Sequence, residues 1–524
     1  MALPTLNFLN VLLAALPILV VLYLMVGRHW GGSKAGLAGW GTAVLVGVFF
    51  FGAGGKLLFV AWGKSILLAL FVLYVIWMAL LLYHTVNEAG VIEAIGREMP
   101  ALAQDKPAQA LLLAWIFGSF LQGATGFGVP AAVVAPLLVG MGFAPNTAVT
   151  MGLLGHAWAV TFGSLGSSFL SLMATTGLPG EALANSAAIL LAISGFGCGL
   201  GVLWLSGGIT AVRRRGLFLL GMSVIMGAAQ WAIAMAGLWT MAAFGAGLVG
   251  LVASVLYFTR IANGQTGADF NLNRLVRAFY PYALLIVVIV LGRMVFKEAL
   301  DIVDINFDFP AVATRFGWET AAGPGRSVSL FGHAGALLLY TSLLIFAWFR
   351  WGNGLRLIPQ SKTDKAKAYN GRIVWQKTRQ GWVKPTIGIY SLVAMALTMQ
   401  HAGMTQMLAE ALSANTGAIF PLLSPFIGAL GAFMTGSNTN SNVVFGQLQQ
   451  GTAVALNLSV PLILAAQTTG GAIGSLFAPA KVIVGCSTVE GADDGEVLKQ
   501  ATFYGLAIVL IVGLITLAVI LIGG

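Results

Sequence analysis

QGATGFGVP at residues 122–130 and TGSNTNSN at residues 435–442 are the two stretches whose reading decides how this chain folds. Both are rich in glycine and in small side chains carrying hydroxyls or amides, and both are set among apolar runs. Neither reads as a lipid-facing helix. Backbone amides and carbonyls are not left unpaired in hydrocarbon, so non-helical chain at membrane depth must be buried in protein or line a water-filled cavity. Glycine permits the backbone angles and close approach that a break requires. Pro130 suits the first turn of a helix that resumes after it.

The surrounding sequence makes the membrane the solvent. Of the 524 residues, 58% are hydrophobic and 8% charged, against roughly 25% charged in a soluble domain. Runs such as residues 8–25, 67–82, 330–349 and 502–522 reach or approach the roughly 20 apolar residues a spanning helix needs. They recur along the chain, predicting an all-α polytopic membrane protein of about 12 to 14 spans. The first span, residues 7–26, has no basic leader before it and no clear small-residue cleavage site after it, and is expected to be retained. Cys198 and Cys486 lie in or beside apolar runs and point to neither a disulfide framework nor a metal site.

A net charge of +10 in a soluble protein would point to nucleic acid, but its distribution argues for a lipid bilayer as the partner. Residues 350–384 hold nine Lys/Arg and one acid, Asp364, and are expected to be a cytoplasmic loop. Arg213, Arg214 and Arg215, with Arg260, Arg274 and Arg277, are expected on the same side. Glu298, Asp301, Asp304, Asp308 and Glu319 fall one span away, which predicts residues 298–325 outside.

The two deciding stretches are related. Residues 118–123 match residues 431–436 at an offset of 313, and the Gly-Ser-Leu at 163–165 matches that at 474–476 at an offset of 311. The chain therefore divides into two halves, 1–240 and 241–524, each with an interrupted helix or re-entrant hairpin. An odd number of spans per half would invert one against the other, as in many secondary transporters.

The chemistry at the breaks is neutral. Gln122, Thr125, Ser437, Asn438, Thr439, Asn440, Ser441 and Asn442 supply oxygens and amides that hydrogen-bond a hydroxy acid or, with backbone carbonyls, coordinate sodium. Gly123, Gly126, Gly128 and Gly436 let backbone approach a ligand. A half-helix N-terminus attracts a carboxylate. The alternative role for these side chains is to cap broken helices and bridge their neighbours.

FLQGATGFGVPAAVVAPLLVGMGF at 120–143, VTFGSLG at 160–166, TGSNTNSNVVFGQLQ at 435–449 and AAQTTGGAIG at 465–474 together resemble the L-lactate permease family. The resemblance implies an ion-transporter-superfamily fold with two re-entrant hairpins, and a carrier of lactate or glycolate in a bacterial or archaeal plasma membrane. By the same analogy it would be a homodimer. It extends the candidate substrate site to His156, Gln467 and Thr468. Ser437-Asn438-Thr439 also looks like the hairpin-tip motif of sodium-coupled dicarboxylate carriers.

The departures concern coupling. Gln122 and Asn438 stand where these permeases have Glu and Asp, His156 and Gln467 where they have Asn, and Ser475 where they have Lys, with Lys481 six residues on. All 17 acids lie outside both motifs, although a buried carboxylate is the usual proton carrier. Three alternatives are open: a proton on His156, sodium at Asn438, Thr439 and backbone carbonyls, or no coupling. His156 is alternatively a helix-bridging hydrogen-bonder, and His333 and His401 are expected at interfaces. Lys481 or Arg326 is a candidate to neutralise an anion, the alternative being a cation that reaches for the interface.

These readings converge on a cation-coupled carrier of a small monocarboxylate held between residues 122–128 and 436–442, with no cofactor beyond the coupling ion. A sodium-coupled carrier of a dicarboxylate or sulfonated acid, an anion channel and a membrane-embedded enzyme are the rivals. No HExxH or GxSxG pattern supports the last.

Overall fold

The computed structural model describes residues 3–126, 128–261, 270–352 and 369–523. Among them, ten helices are long and apolar enough to cross a membrane. Two bent pairs, Pro145–Ala159 with Gly163–Thr176 and Leu272–Ala278 with Tyr280–Val295, raise the number to as many as 12. The 56-residue helix Gly180–Met235 leaves helical geometry at Gly207 and Gly208 and is two helices in series, which adds one more. At about 1.5 Å per residue it is too long to be a single span. Large apolar side chains such as Phe8, Leu217, Phe503 and Ile522 are exposed on the outside, as expected where lipid replaces water. The protein is a polytopic all-α membrane protein.

The order of elements around the first motif recurs around the second. A helix ends at a break (Gly118–Ala124; Phe420–Thr435) and another leaves it (Val129–Gly140; Asn438–Ala455). A third helix (Pro145–Gly155; Val460–Gly474) passes through a 3-10 turn (Ala157–Ala159; Ser475–Phe477) to a fourth (Gly163–Thr176; Pro479–Cys486). The two Gly-Ser-Leu stretches nevertheless differ in backbone. Ser164, Leu165 and Gly166 are left-handed, with φ of 49°, 53° and 79°, whereas Gly474 and Ser475 are right-handed, with φ of −57° and −67°. Neighbours impose the difference, because Ser164 is packed against Gly126 and Gly166 against the backbone of Thr240.

One feature departs from pure helix. Residues 304–329 form an antiparallel arm of three nested ladders, pairing Asp304 with Ser329, Asp308 with Pro324 and Val312 with Thr320. Arg315 N–H donates to the Gly52 carbonyl at 2.8 Å, and Phe309 rests on Gly63. The arm thus covers the start of the Gly55–Glu88 helix. At the other end of that helix, Tyr369 Oη donates to the Thr85 carbonyl at 3.3 Å and Lys377 pairs with Glu88 at 3.7 Å. The acidic arm and the flank of the basic loop therefore stand on opposite faces. Residues 353–368 of that loop lie outside the described residues.

Candidate functional site

The second break is built by three consecutive residues. Gly436, with φ of 68°, closes the helix Phe420–Thr435 in the left-handed region, where a side chain would be strained. Its N–H donates to the Ala432 carbonyl at 2.8 Å. Ser437 is extended and caps the next helix, its Oγ accepting from Asn440 N–H. Asn438, Thr439, Asn440, Ser441 and Asn442 then form the first turns of that helix, all buried.

These side chains reach into a polar cluster fed by both halves of the chain. Asn438 Nδ2 donates to Thr161 Oγ1 at 3.0 Å and to Thr468 Oγ1 at 3.3 Å. Asn442, one turn on, donates to the Ser168 carbonyl and to Thr468 Oγ1, both at 2.9 Å. Thr439 Oγ1 lies 3.0 Å from Ser168 Oγ, and Ser171 Oγ donates to the Thr439 carbonyl at 3.4 Å. Behind this layer, Gln467 donates to Ser441 Oγ at 3.1 Å and accepts from Gln449 at 2.8 Å.

The amide nitrogens of Asn438 and Asn442 are committed, but their oxygens are not. Asn438 Oδ1, Asn440 Oδ1 and Asn442 Oδ1 are buried without a hydrogen-bond partner. Each such orphan costs about 1–3 kcal/mol. A cation or a hydroxyl donor placed there recovers that cost, and the N-terminus of the 18-residue helix Asn438–Ala455 adds a positive pole for a carboxylate. The chemistry of the cluster is thus that of neutral acceptors beside a positive helix end.

The first break is arranged differently. Thr125 Oγ1 donates to the Leu121 carbonyl of its own helix at 2.7 Å. Gln122 packs against Gly163, its Oε1 buried without a partner. Gly123 lies against the backbone of Phe244, a close helix crossing, and Gly126 against the side chain of Ser164. Gly128, with φ of 85°, caps Val129–Gly140, where Pro130 is the second residue. The described contacts join the two breaks through residues 161–171, with Gly126 on Ser164 at one end and Ser168 and Ser171 on Thr439 at the other. The helix Pro479–Cys486 touches both, Val484 facing Gly128 and Ala480 facing Gly436.

His156 stands apart from the cluster. Its Nδ1 lies 2.7 Å from the Gly152 carbonyl, its Cβ and backbone N face Gly118, and its Nε2 is buried without a partner. Lys481 Nζ donates to Ser475 Oγ at 2.8 Å. Thr161, Ser168 and Ser171 were not anticipated as site residues. The signal was present, since Ser164, Ser167, Ser168 and Ser171 repeat at helical spacing in an apolar region.

The family model for L-lactate permease matches residues 10–523. Glycolate permease GlcA of Escherichia coli (strain K12) is 27% identical over 97% of this chain and 95% of its own length. L-lactate permease of Bacillus subtilis (strain 168) is 25% identical over the same shares. Among solved structures, the Alcanivorax borkumensis YdaH transporter overlaps 86% of this chain and 85% of its own, at 13% identity and a TM-score of 0.41, too slight a likeness to argue from. With the family pattern matched from the first spanning helix to the last, this chain belongs to the L-lactate permease family.

Proposed function

We propose that this protein is a secondary transporter of a small 2-hydroxy monocarboxylate, L-lactate or glycolate, in the plasma membrane, and that it is coupled to sodium. The observation that carries this reading is the acid-free cluster at Asn438, Thr439 and Asn442 with its uncommitted carbonyl oxygens. Such oxygens suit a hard cation and the substrate hydroxyl, and the helix N-terminus suits the carboxylate. The names of the relatives, glycolate permease and L-lactate permease, support the substrate class.

A proton on His156 is the second reading of the coupling, favoured by its buried, unpartnered Nε2. By the positive-inside bias, residues 350–384 are cytoplasmic and the β-arm is outside. The two broken elements belong to two inverted halves, 1–240 and 241–524, working as one of two subunits.

Uptake of labelled L-lactate and glycolate into proteoliposomes, under separate sodium and proton gradients, tests the proposal. Saturable accumulation driven by sodium is expected. Accumulation under a proton gradient alone would replace sodium by His156, and no uptake of either acid under either gradient would overturn the substrate assignment.

A further inference from the structure

A cavity of about 310 Å³ opens beside the broken helix on the face that carries the β-arm. Lys64, Arg326, His401, Thr175, Gln400 and Gln447 are among its walls, and no acid is among its described lining residues. Three of the lining side chains, Arg326, His401 and Thr175, each carry a buried polar atom (Nε, Nε2 and Oγ1) without a hydrogen-bond partner. His401 is 2% exposed and Thr175 4%, so these are built into the protein and not solvated at its surface. The Arg326 guanidinium lies 4.2 Å from the centre of the Phe71 ring, which fixes it in place. Asp301 and Asp304 belong to the neighbouring cavity across Arg326, where Arg293 and His333 accompany them.

The cavity is connected to the polar cluster by one helix face. Thr175 stands on the same stripe as Ser168 and Ser171, the residues that meet Thr439. Its carbonyl accepts from Gln447 Nε2 at 2.8 Å, which ties the helix Asn438–Ala455 to the cavity wall. A stripe of hydroxyls thus leads from two cations to the Asn438 cluster.

We propose that this cavity is a second, outer binding site for a small organic carboxylate, which docks there before reaching the Asn438 cluster. Arg326 and Lys64 attract the carboxylate. His401 Nδ1 lies 2.9 Å from the Leu397 carbonyl and carries the proton there, which leaves the unpartnered Nε2 as the acceptor of the ring. The identity of the acid, though not the site, rests on the carrier reading above.

The test uses the full-length protein in membranes with Cys198→Ala, Cys486→Ala and a reporter, Thr176→Cys, on the cavity wall. Its modification rate is compared for two methanethiosulfonates, one bearing a sulfonate and one a trimethylammonium, each normalised to its rate with free cysteine. A preference for the sulfonate of about tenfold is expected, the low end of what a charged cleft confers. Arg326→Gln should abolish it and Arg326→Lys should retain it, and millimolar L-lactate or glycolate should slow labelling. Charge-blind labelling, a preference untouched by Arg326→Gln, or no labelling by either reagent would overturn the proposal. A charge preference with no protection by either acid would leave the outer anion site standing and count against the monocarboxylate reading instead.

Discussion

Asn438 and Thr161 are 277 residues apart in sequence and 3.0 Å apart in space, the amide of one donating to the hydroxyl of the other. That bond fastens the start of the helix Asn438–Ala455 to the broken segment of the first half. Asn438→Ala removes it together with the bond to Thr468, a loss of roughly 1–3 kcal/mol. Uptake should fall by about tenfold or more with the amount of protein in the membrane unchanged, measured as initial rates against quantified expression. Normal uptake would remove Asn438 from the site.

Gly471 is the floor beneath the same amide. A Cβ there would stand 2.2 Å from Asn438 Oδ1, too close for either atom to keep its place. Gly471→Ala should therefore abolish transport by displacing Asn438, at a stability cost of about 1–3 kcal/mol. Paired measurements of uptake and melting temperature in detergent separate the two effects. Unimpaired uptake would show that the position of Oδ1 does not matter.

His156→Gln distinguishes the two coupling schemes. The ring hydrogen-bonds within its own helix and is not bonded to the Asn438 cluster. Sodium-driven uptake should survive with the same dependence on pH, measured from about pH 5.5 to 8, where an unperturbed imidazole changes charge. A displaced pH profile would assign the proton to His156.

Asp105 caps the short helix Lys106–Ala110 and pairs with Arg215. Burial alone would raise its carboxyl, but hydrogen bonds from Arg215 and Ala108 N–H and the nearby guanidinium charge hold it below the usual range. A carboxyl lowered on folding contributes stability above its unfolded value of about 3.9, lost as pH falls through the lower folded value. Asp105→Asn should cost about 2 kcal/mol near neutral pH, an intermediate figure for a partly buried pair. The melting-temperature gap to wild type should narrow as the pH falls toward 3.

Much of this was legible in the sequence because glycine, proline and the neutral amides each leave a local mark. Gly436, Ser437 and Pro130 occupy the cap positions their chemistry favours. Residues 161–171 were harder to read. Their Gly-Ser-Leu is spelled as in the second half, yet packing against Gly126 and Thr240 turns it left-handed, and nothing in the letters records that contact. The β-arm was invisible for another reason, since two-residue ladders are too short to carry a periodic signal.

The left-handed turn at Ser164, Leu165 and Gly166 has one more consequence. Left-handed backbone costs about 1–2 kcal/mol for each residue bearing a side chain, so this conformation persists only while its surroundings enforce it. The hydroxyls of Ser168 and Ser171 follow directly after it in the chain. A rearrangement that let the turn unwind to ordinary helix would rotate those hydroxyls away from Thr439, so that the strength of the polar cluster and the shape of the chain that frames it are a single variable.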